Sequence, residues 1–560
     1  MTTNDFSPRG TAEVLTWERI QMVFAGQVRN LDPDAVSFCL SNAETGESVP
    51  IRDVQWQGNA FLFRLNITTV YGDRTFLPTG EWNLLLRQKQ TGALFPLEAG
   101  ERLFRDEGYS DRFVKAPREE KLGRFAREYT KGSSYSYTIA PRVREGDRLF
   151  LQVTNLQPDP PTVARRIRRQ LKRWFGPLIE SCLRSGFFLV YRLTSLFTRH
   201  KGNRIVFCSD SRAELSGNMK DVYDRLVERG LDRQFRIRFV FKKSVKARRS
   251  FLDKFRAPYQ LARADILLLD DFNPTVKQLK LKPGVKVIQL WHACGAFKTV
   301  GFSRMGKKGG PYLTNTNHRA YTHAIASSSH VARFYAEAFG MNPEDVYPTG
   351  VPRTDVFFRP DYRAAVTESL HASLPQTVGK QVILFAPTFR GNGAKSGHYP
   401  LHQLDLDALA AFCRRSGSVF LFKMHPFVRD RVDIPEADRD VLFDLSAERE
   451  INDLLFITDL LITDYSSVIY EASTLNIPML FYAYDKEEYI SSRDFYEPYD
   501  TFVPGKIVTD FDQLLAAMEA GEFEQEKVEP FCRRNFEYRD GGSTDRVIDW
   551  LILGQAPDRT

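Results

Sequence analysis

From about residue 203 onward the chain repeats one pattern, a short unbroken apolar run followed by a stretch of helical character. The runs RIVFCSD, FRIRFVF, ADILLLD and KVIQLWH come first, with NMKDVYDRLVERG as a helix between the first two. After a helical middle come QVILFAPTF, VFLFKMHP, DLLITD and PMLFYAYD. Strands this apolar need cover on both faces, which a parallel sheet flanked by helices supplies. The pattern predicts two such blocks, about 203–350 and 380–530, each Rossmann-like. Paired lobes of this kind take ligands in a crevice at the carboxyl ends of their strands, so chemistry is expected there.

The rest of the chain reads differently. Segments within 11–155, such as NAFLFRLNI and EWNLLLRQKQTGALFPL, are short, partly alternating and separated by turns such as Asn30–Pro33 and Pro78–Gly80. Several strands at this spacing predict a β-sandwich-like domain, read as a spacer or packing module. Pro158, Pro160 and Pro161 then mark a linker. In VARRIRRQLKRWFGPLIESCLRSGFFLVYRLTSLF, Ile167, Leu171, Phe175 and Leu178 recur at helical spacing, and Arg165, Arg166, Arg168, Arg169, Lys172 and Arg173 crowd its first turns. A basic amphipathic helix gains about 1 kcal/mol per well-placed cation on an anionic leaflet. With Trp174, Phe187, Phe188 and Tyr191 following, 165–197 is read as a membrane-surface contact rather than an ordinary solvated helix. No recognition motif accompanies it, so nucleic acid is not expected. The expected architecture is therefore α/β: 1–155 β-rich, 156–202 a basic helical linker, 203–375 a first Rossmann-like lobe and 376–560 a second.

Bulk properties narrow the class further. Apolar residues at 42% and charged residues at 26% suit a globular chain, and 78 Lys plus Arg against 70 Asp plus Glu is a modest excess. Six scattered cysteines form no CxxC pair or zinc spacing, which fits a reducing compartment. The start of the sequence has no secretory pattern, and no apolar run is long enough to span a bilayer. A cytoplasmic or peripheral protein is expected.

The strand ends are rich in groups for phosphate chemistry. His292 follows one strand, with Gly295 and Lys298 in the next turn. Pro387 and Thr388 end another, with Arg390 close behind. His425 ends a third, two residues after Lys423. Asp464 ends a fourth, and Ser466 and Ser467 stand at the following helix start. A helix N-terminus receives anions, Arg and Lys carry charge to a diphosphate, and histidine moves protons near neutral pH. Each feature alone has an ordinary explanation: DYSS as a helix cap, a histidine as structural, Asp270-Asp271 as a turn, so no metal site is assigned. Four loops in register supplying anion binders or proton carriers are hard to explain as packing.

The segments QLWHACGAFKTVGFSR, GVPRTDVFF, FAPTFRG, FKMHP and LLITDYSSVIYEASTLNIPMLFYAYDKEEYISSRDFYEPYD, with SDSRAELSGNMKDVYDRL before them and DGGSTDRV after, resemble the CDP-glycerol glycerophosphotransferase family, which includes teichoic acid primases and polymerases. The resemblance runs from about 203 to 550. This chain has WHACG where many members have WHGTP. The resemblance implies the two-lobed glycosyltransferase B arrangement, with the first lobe facing a lipid-linked polymer acceptor and the second binding CDP-glycerol or CDP-ribitol, and no further cofactor. It implies His292 as general base on the acceptor hydroxyl and His425 as the partner of the departing cytidine monophosphate (CMP). Pro387, Thr388, Arg390, Ser466 and Ser467 would form the donor phosphate site. Asp464 would orient that loop or bind a donor hydroxyl. Lys298 and, more weakly, Arg353 would add charge. Two rival readings are a nucleotide-sugar glycosyltransferase of the same fold and a non-enzymatic tethering protein.

Overall fold

The computed structural model describes residues 8–72, 75–104, 122–129, 134–157, 178–199, 201–245, 247–307, 310–312, 315–391, 396–428, 431–447 and 450–555. Among the described residues, eleven strands between Arg9 and Asn155 form one hydrogen-bonded network. Its strands alternate inward and outward, as Ala60–Asn66 does along its length, so every second residue feeds one core. Val36–Asn42 lies near one end of the sheet and Val54–Gln57 at the other. The rings of Phe38 and Trp56 nonetheless sit 5.7 Å apart, and Phe38 and Phe61 4.7 Å apart. The sheet therefore curls until its ends share a core, in which Phe24, Phe63 and Trp82 are fully buried. The region is β-rich as its sequence predicts.

Among the described residues, each lobe has a six-stranded parallel sheet. The first sheet runs Arg236–Phe241, Arg204–Ser209, Ile266–Leu269, Lys286–Gln289, His323–Ile325, Val346–Tyr347. The second runs Leu442–Asp444, Ser418–Phe422, Gln381–Phe385, Leu460–Thr463, Met479–Tyr482, Lys506–Val508. In the second lobe the order reverses between Gln381–Phe385 and Leu460–Thr463. That is the switch point at which a doubly wound sheet opens a crevice, and the residues beyond it are Pro387, Thr388 and Asp464.

Two segments pack across the expected boundaries. Phe357, Leu370 and Leu374 belong to the core of the second lobe, beside Val382 and Leu384, although they precede residue 376. At the other end, Val547, Ile548, Leu551 and Ile552 pack with Ile205, Phe207 and Ile288 of the first lobe, not with the second sheet. The crossings are tied together by Asp355, whose buried carboxylate accepts from the N–H groups of Ser543 (2.9 Å) and Thr544 (2.8 Å). Helical periodicity reports which face is apolar, not which sheet it will cover, so the exchange left no local trace.

The N-terminal domain docks on both lobes. Arg19 donates to Glu337 (2.7 and 3.1 Å) and to the carbonyl of Tyr496 (3.2 Å), and Gln21 donates to Glu337 (2.6 Å). Helix Leu178–Phe197 lies against helix Asp253–Arg263. Its Tyr191 is buried and donates to the Lys280 carbonyl at 3.1 Å, while Leu189, Leu193, Leu196 and Phe197 stay exposed. The basic cluster 165–173 and Trp174 lie outside the described residues. Among those described, no helix is long and apolar enough to cross a membrane.

Candidate functional site

The switch point of the second lobe is held by one arginine. Arg390 grips Asp485 with two N–H groups (2.5 and 2.8 Å), Asp464 with a third (2.9 Å) and the Thr388 carbonyl with a fourth (2.6 Å). Its guanidinium lies 5.1 to 5.5 Å from the ring centres of Tyr399, Tyr465, Tyr484 and Tyr489. Asp464, 1% exposed, also accepts from the Thr388 N–H at 2.7 Å, which joins the two strand ends. The side chain read from sequence as a phosphate fork is thus engaged within the protein, and Asp464 orients the loop. Pro387 and Thr388 are buried at the crevice floor. Thr388 Oγ1 has no hydrogen-bond partner among the described residues. Ser467 is exposed at the start of helix Val468–Thr474 and its side chain makes no cap bond. Ser466 Oγ has a long contact, 3.4 Å, to the Val468 N–H.

Lys298 and His425 meet at this crevice from opposite lobes. Lys298 belongs to the loop after Lys286–Gln289, yet that loop forms an isolated bridge to Phe495 and sets its ammonium 5.3 Å from the Tyr489 ring centre. Burial pulls the Lys298 pKa down to about 8, against the opposing pull of Asp464, with Arg493 and Arg390 lowering it further. The His425 ring packs tilted against Phe389 and edge-on against Phe427, with ring centres 4.7 and 4.9 Å away. Its Nδ1 accepts the Phe427 N–H at 3.1 Å, which places the proton of the neutral ring on Nε2. Burial and then the Lys298 charge lower its pKa, and Asp464 pulls the other way.

His292 occupies the facing end of the first lobe. The buried Gln289 clamps the turn before it, accepting from the Trp291 N–H at 2.9 Å and donating to the Asp271 carbonyl at 3.1 Å. Trp291 takes a left-handed φ of 50°, and its ring lies 4.4 Å from that of His292. The imidazole is open to the crevice on one side and walled by Trp291 on the other. Burial lowers its pKa, Asp271 at 3.9 Å from Nδ1 opposes this, and Arg353 and Arg212 lower it further. The net pull is toward the neutral ring, the form that a general base needs. Asp271, set aside in the sequence as part of a turn, is a charge partner of His292. The proximity of LLLDDFNP and QLWHACG as neighbouring strand ends was the available signal.

Between the two centres the lobes touch tightly. Arg353 pairs with the buried Glu471, which also accepts from the Cys294 thiol at 3.2 Å. The Arg353 N–H donates to Asn218 (3.0 Å), whose amide holds the carbonyls of Leu290 and Trp291 (3.1 and 2.9 Å). A Cβ on Gly295 would fall 2.0 Å from the Tyr470 ring, so only glycine allows this approach. Arg353 thus lies at the seam beside His292, and Glu471 and Cys294 are seam residues that the sequence reading did not single out. Lys423 donates to the carbonyls of Leu445 and Ser446 (3.3 and 3.1 Å) and is used in the fold.

Two facing parallel-sheet lobes, each with its polar cluster beyond the strand ends and a tight seam between them, make this a two-lobed fold of the glycosyltransferase B kind. The solved structure of the wall teichoic acid polymerase TagF superimposes on it with a TM-score of 0.54, over 70% of this chain and 99% of that one. At 22% identity this is a likeness of fold. Residues 189–553 match the family model described as CDP-Glycerol:Poly(glycerophosphate) glycerophosphotransferase. Teichoic acid ribitol-phosphate polymerase TarL of Staphylococcus aureus is 40% identical over 551 residues, covering 95% of this chain and 97% of that protein. TarK of the same organism, also a teichoic acid ribitol-phosphate polymerase, is 46% identical over 420 residues, 74% of this chain and 82% of that protein. The chain belongs to the CDP-glycerol:poly(glycerophosphate) glycerophosphotransferase family.

Proposed function

We propose that this chain transfers ribitol phosphate from CDP-ribitol to a lipid-linked teichoic acid chain at the inner face of the cell membrane, releasing CMP. The observation that carries the alditol is the end-to-end similarity to a ribitol-phosphate polymerase. A glycerol-phosphate primase of Bacillus subtilis is 28% identical over 53% of this chain. In this reading His292 takes the proton of the attacking acceptor hydroxyl. The hydroxyl oxygen bonds to the β-phosphorus as the bond from that phosphorus to the CMP oxygen breaks. His425, with its proton on Nε2, serves the departing CMP. Lys298, the Thr388 hydroxyl, Ser466 and Ser467 hold the diphosphate, and Arg390 with Asp464 positions them. Phosphoryl transfer consists mostly of positioning and charge stabilisation, and these groups supply both without a further cofactor. Membrane attachment rests on 165–197, supported by the exposed Leu189, Leu193, Leu196 and Phe197 and the nearby exposed Phe251, Leu252 and Phe255.

The test is CMP release from CDP-ribitol and from CDP-glycerol with a lipid-linked acceptor, comparing wild type with His292→Ala and His425→Ala. Release from CDP-ribitol, lost in His292→Ala, is the expected result. Release from CDP-glycerol alone overturns the alditol assignment, and release from neither by folded protein favours a nucleotide-sugar donor.

A further inference from the structure

A cavity of about 700 Å³ lies between the N-terminal domain and the first lobe, on the far side of helix Ser329–Phe339 from the His292 loop. That volume is in the range of small-molecule sites. Many of its polar walls are satisfied. Glu337 accepts from Arg19 and Gln21, Glu344 from Arg52 at 2.9 Å, and Glu47 from the Tyr71 hydroxyl at 2.8 Å. Three groups have capacity left among the described residues: Arg64, Arg333 and Asp53. Arg64 Nη1 is buried without a hydrogen-bond partner among the described residues, and its Nε is 3.8 Å from Glu18, beyond hydrogen-bond length. Arg333 donates to His330 Nδ1 at 3.0 Å and has further N–H groups to offer. Asp53 lines the same cavity; burial raises its carboxyl pKa, and the charges of Arg64 and Arg333 pull it back down. Unsatisfied buried donors are costly, and an anion with several oxygens relieves them.

We propose that this cavity holds a phosphodiester unit of the growing polyol-phosphate chain, with Arg64 and Arg333 on the phosphate and Asp53 accepting from the polyol hydroxyls. The inference rests on the transferase reading above. Continuity with the reaction centre comes from the shared helix. Tyr335 donates to the carbonyls of Ala293 and Gly295 (3.0 and 3.1 Å), flanking the catalytic loop. Arg333, two residues earlier, leaves the helix about 200° away and lines the cavity. The cavity and the loop of His292 thus lie against different faces of one helix, whose diameter is about 10 Å. This gives the N-terminal domain a role in chain growth: the cleft retains the product between additions.

The test uses the full-length protein and the R64Q/R333Q double variant. Calorimetry with a short lipid-free poly(ribitol phosphate) fragment, in a His292→Ala background, is expected to show about tenfold weaker binding for the double variant. With active enzyme, CMP release on a single-unit acceptor is expected to stay unchanged while products become shorter. Arg333→Lys, which keeps the charge, should restore part of the length. Equal affinity and equal product length in a folded double variant overturn the proposal. If that variant melts early, Ser48→Trp narrows the cavity mouth without removing a buried charge, and unchanged affinity there overturns it equally. Absence of CMP release from wild type would instead sink the transferase reading, since the calorimetric arm reads the cavity independently.

Discussion

His292 and His425 both end parallel strands, one in each lobe, and burial lowers the pKa of both, but the charge that acts most strongly on each has the opposite sign. Arg353 and Arg212 also face His292, and Asp464 also faces His425. His292 has a carboxylate, Asp271, 3.9 Å from Nδ1. His425 has a backbone N–H on Nδ1 and the Lys298 charge nearby. A carboxylate favours the imidazolium that forms when a base takes a proton, whereas an adjacent cation disfavours it. In the proposed mechanism the first ring is the one suited to receive a proton, and the second to remain a neutral donor beside the diphosphate. Two residues of one type, at equivalent places in two similar sheets, are separated in role by their second neighbours.

The largest expected effect breaks the comparison at its stronger side. His292→Ala should lower kcat by about 10²–10⁴-fold, the usual worth of a general base, with the melting temperature unchanged because the ring is open to the crevice. Single-turnover CMP release beside thermal denaturation reads both quantities. Near-normal turnover would transfer the base role elsewhere.

Next in size is a test of whether the second centre is assembled by Arg390 or merely lined by it. Arg390→Ala leaves Asp464 and Asp485 without their cation, and breaking a buried pair by removing one partner costs about 3–5 kcal/mol. Denaturant unfolding should show that loss directly. A variant of full stability with only a raised donor KM would mean that Arg390 acts as a phosphate ligand after all.

Those two sites differ also in how far they were legible. The eight long apolar runs gave both sheets, since a strand covered on both faces needs no partner to be recognised. Four further strands, His323–Ile325, Val346–Tyr347, Leu442–Asp444 and Lys506–Val508, are two or three residues long and leave too little pattern. His292, His425, Thr388 and Asp464 were readable as strand ends. The partners that set their behaviour were not, because they come from far along the chain: Asp485 is 95 residues from Arg390, and Glu471 is 118 from Arg353. Lys298 was read within its own loop, while its electrostatic neighbours belong to the other lobe. A sequence reports which residue types stand at a strand end. It does not report which charge the opposite lobe brings to them.

Asp271→Asn sharpens the contrast from the His292 side. Asp271 raises the imidazole pKa, so its removal lowers that value further. The base is active when neutral, and the acid limb of the kcat/KM profile should therefore move to lower pH. The plateau should fall about tenfold, the low end of what an orienting charge beside a base contributes. An acid limb that stays in place would separate Asp271 from the titrating group.

The smallest effect lies on the other side and is visible mainly as a shape. Burial pulls the Lys298 pKa down to about 8, and in the proposed role Lys298 must be protonated to neutralise the diphosphate. Wild-type kcat/KM should then fall as pH rises through about 8, completing a bell whose acid limb belongs to His292. Arg stays charged throughout this range. Lys298→Arg should therefore lose the alkaline limb while changing the neutral-pH rate only a few-fold, since the fork is bulkier than the ammonium. It should also leave the His425 pKa low, because a positive charge still faces that ring, and nuclear magnetic resonance titration of the histidines can follow this. An alkaline limb that survives in Lys298→Arg would assign it to another group. The cation at the second histidine would then hold the lobes together without taking part in the charge balance of transfer.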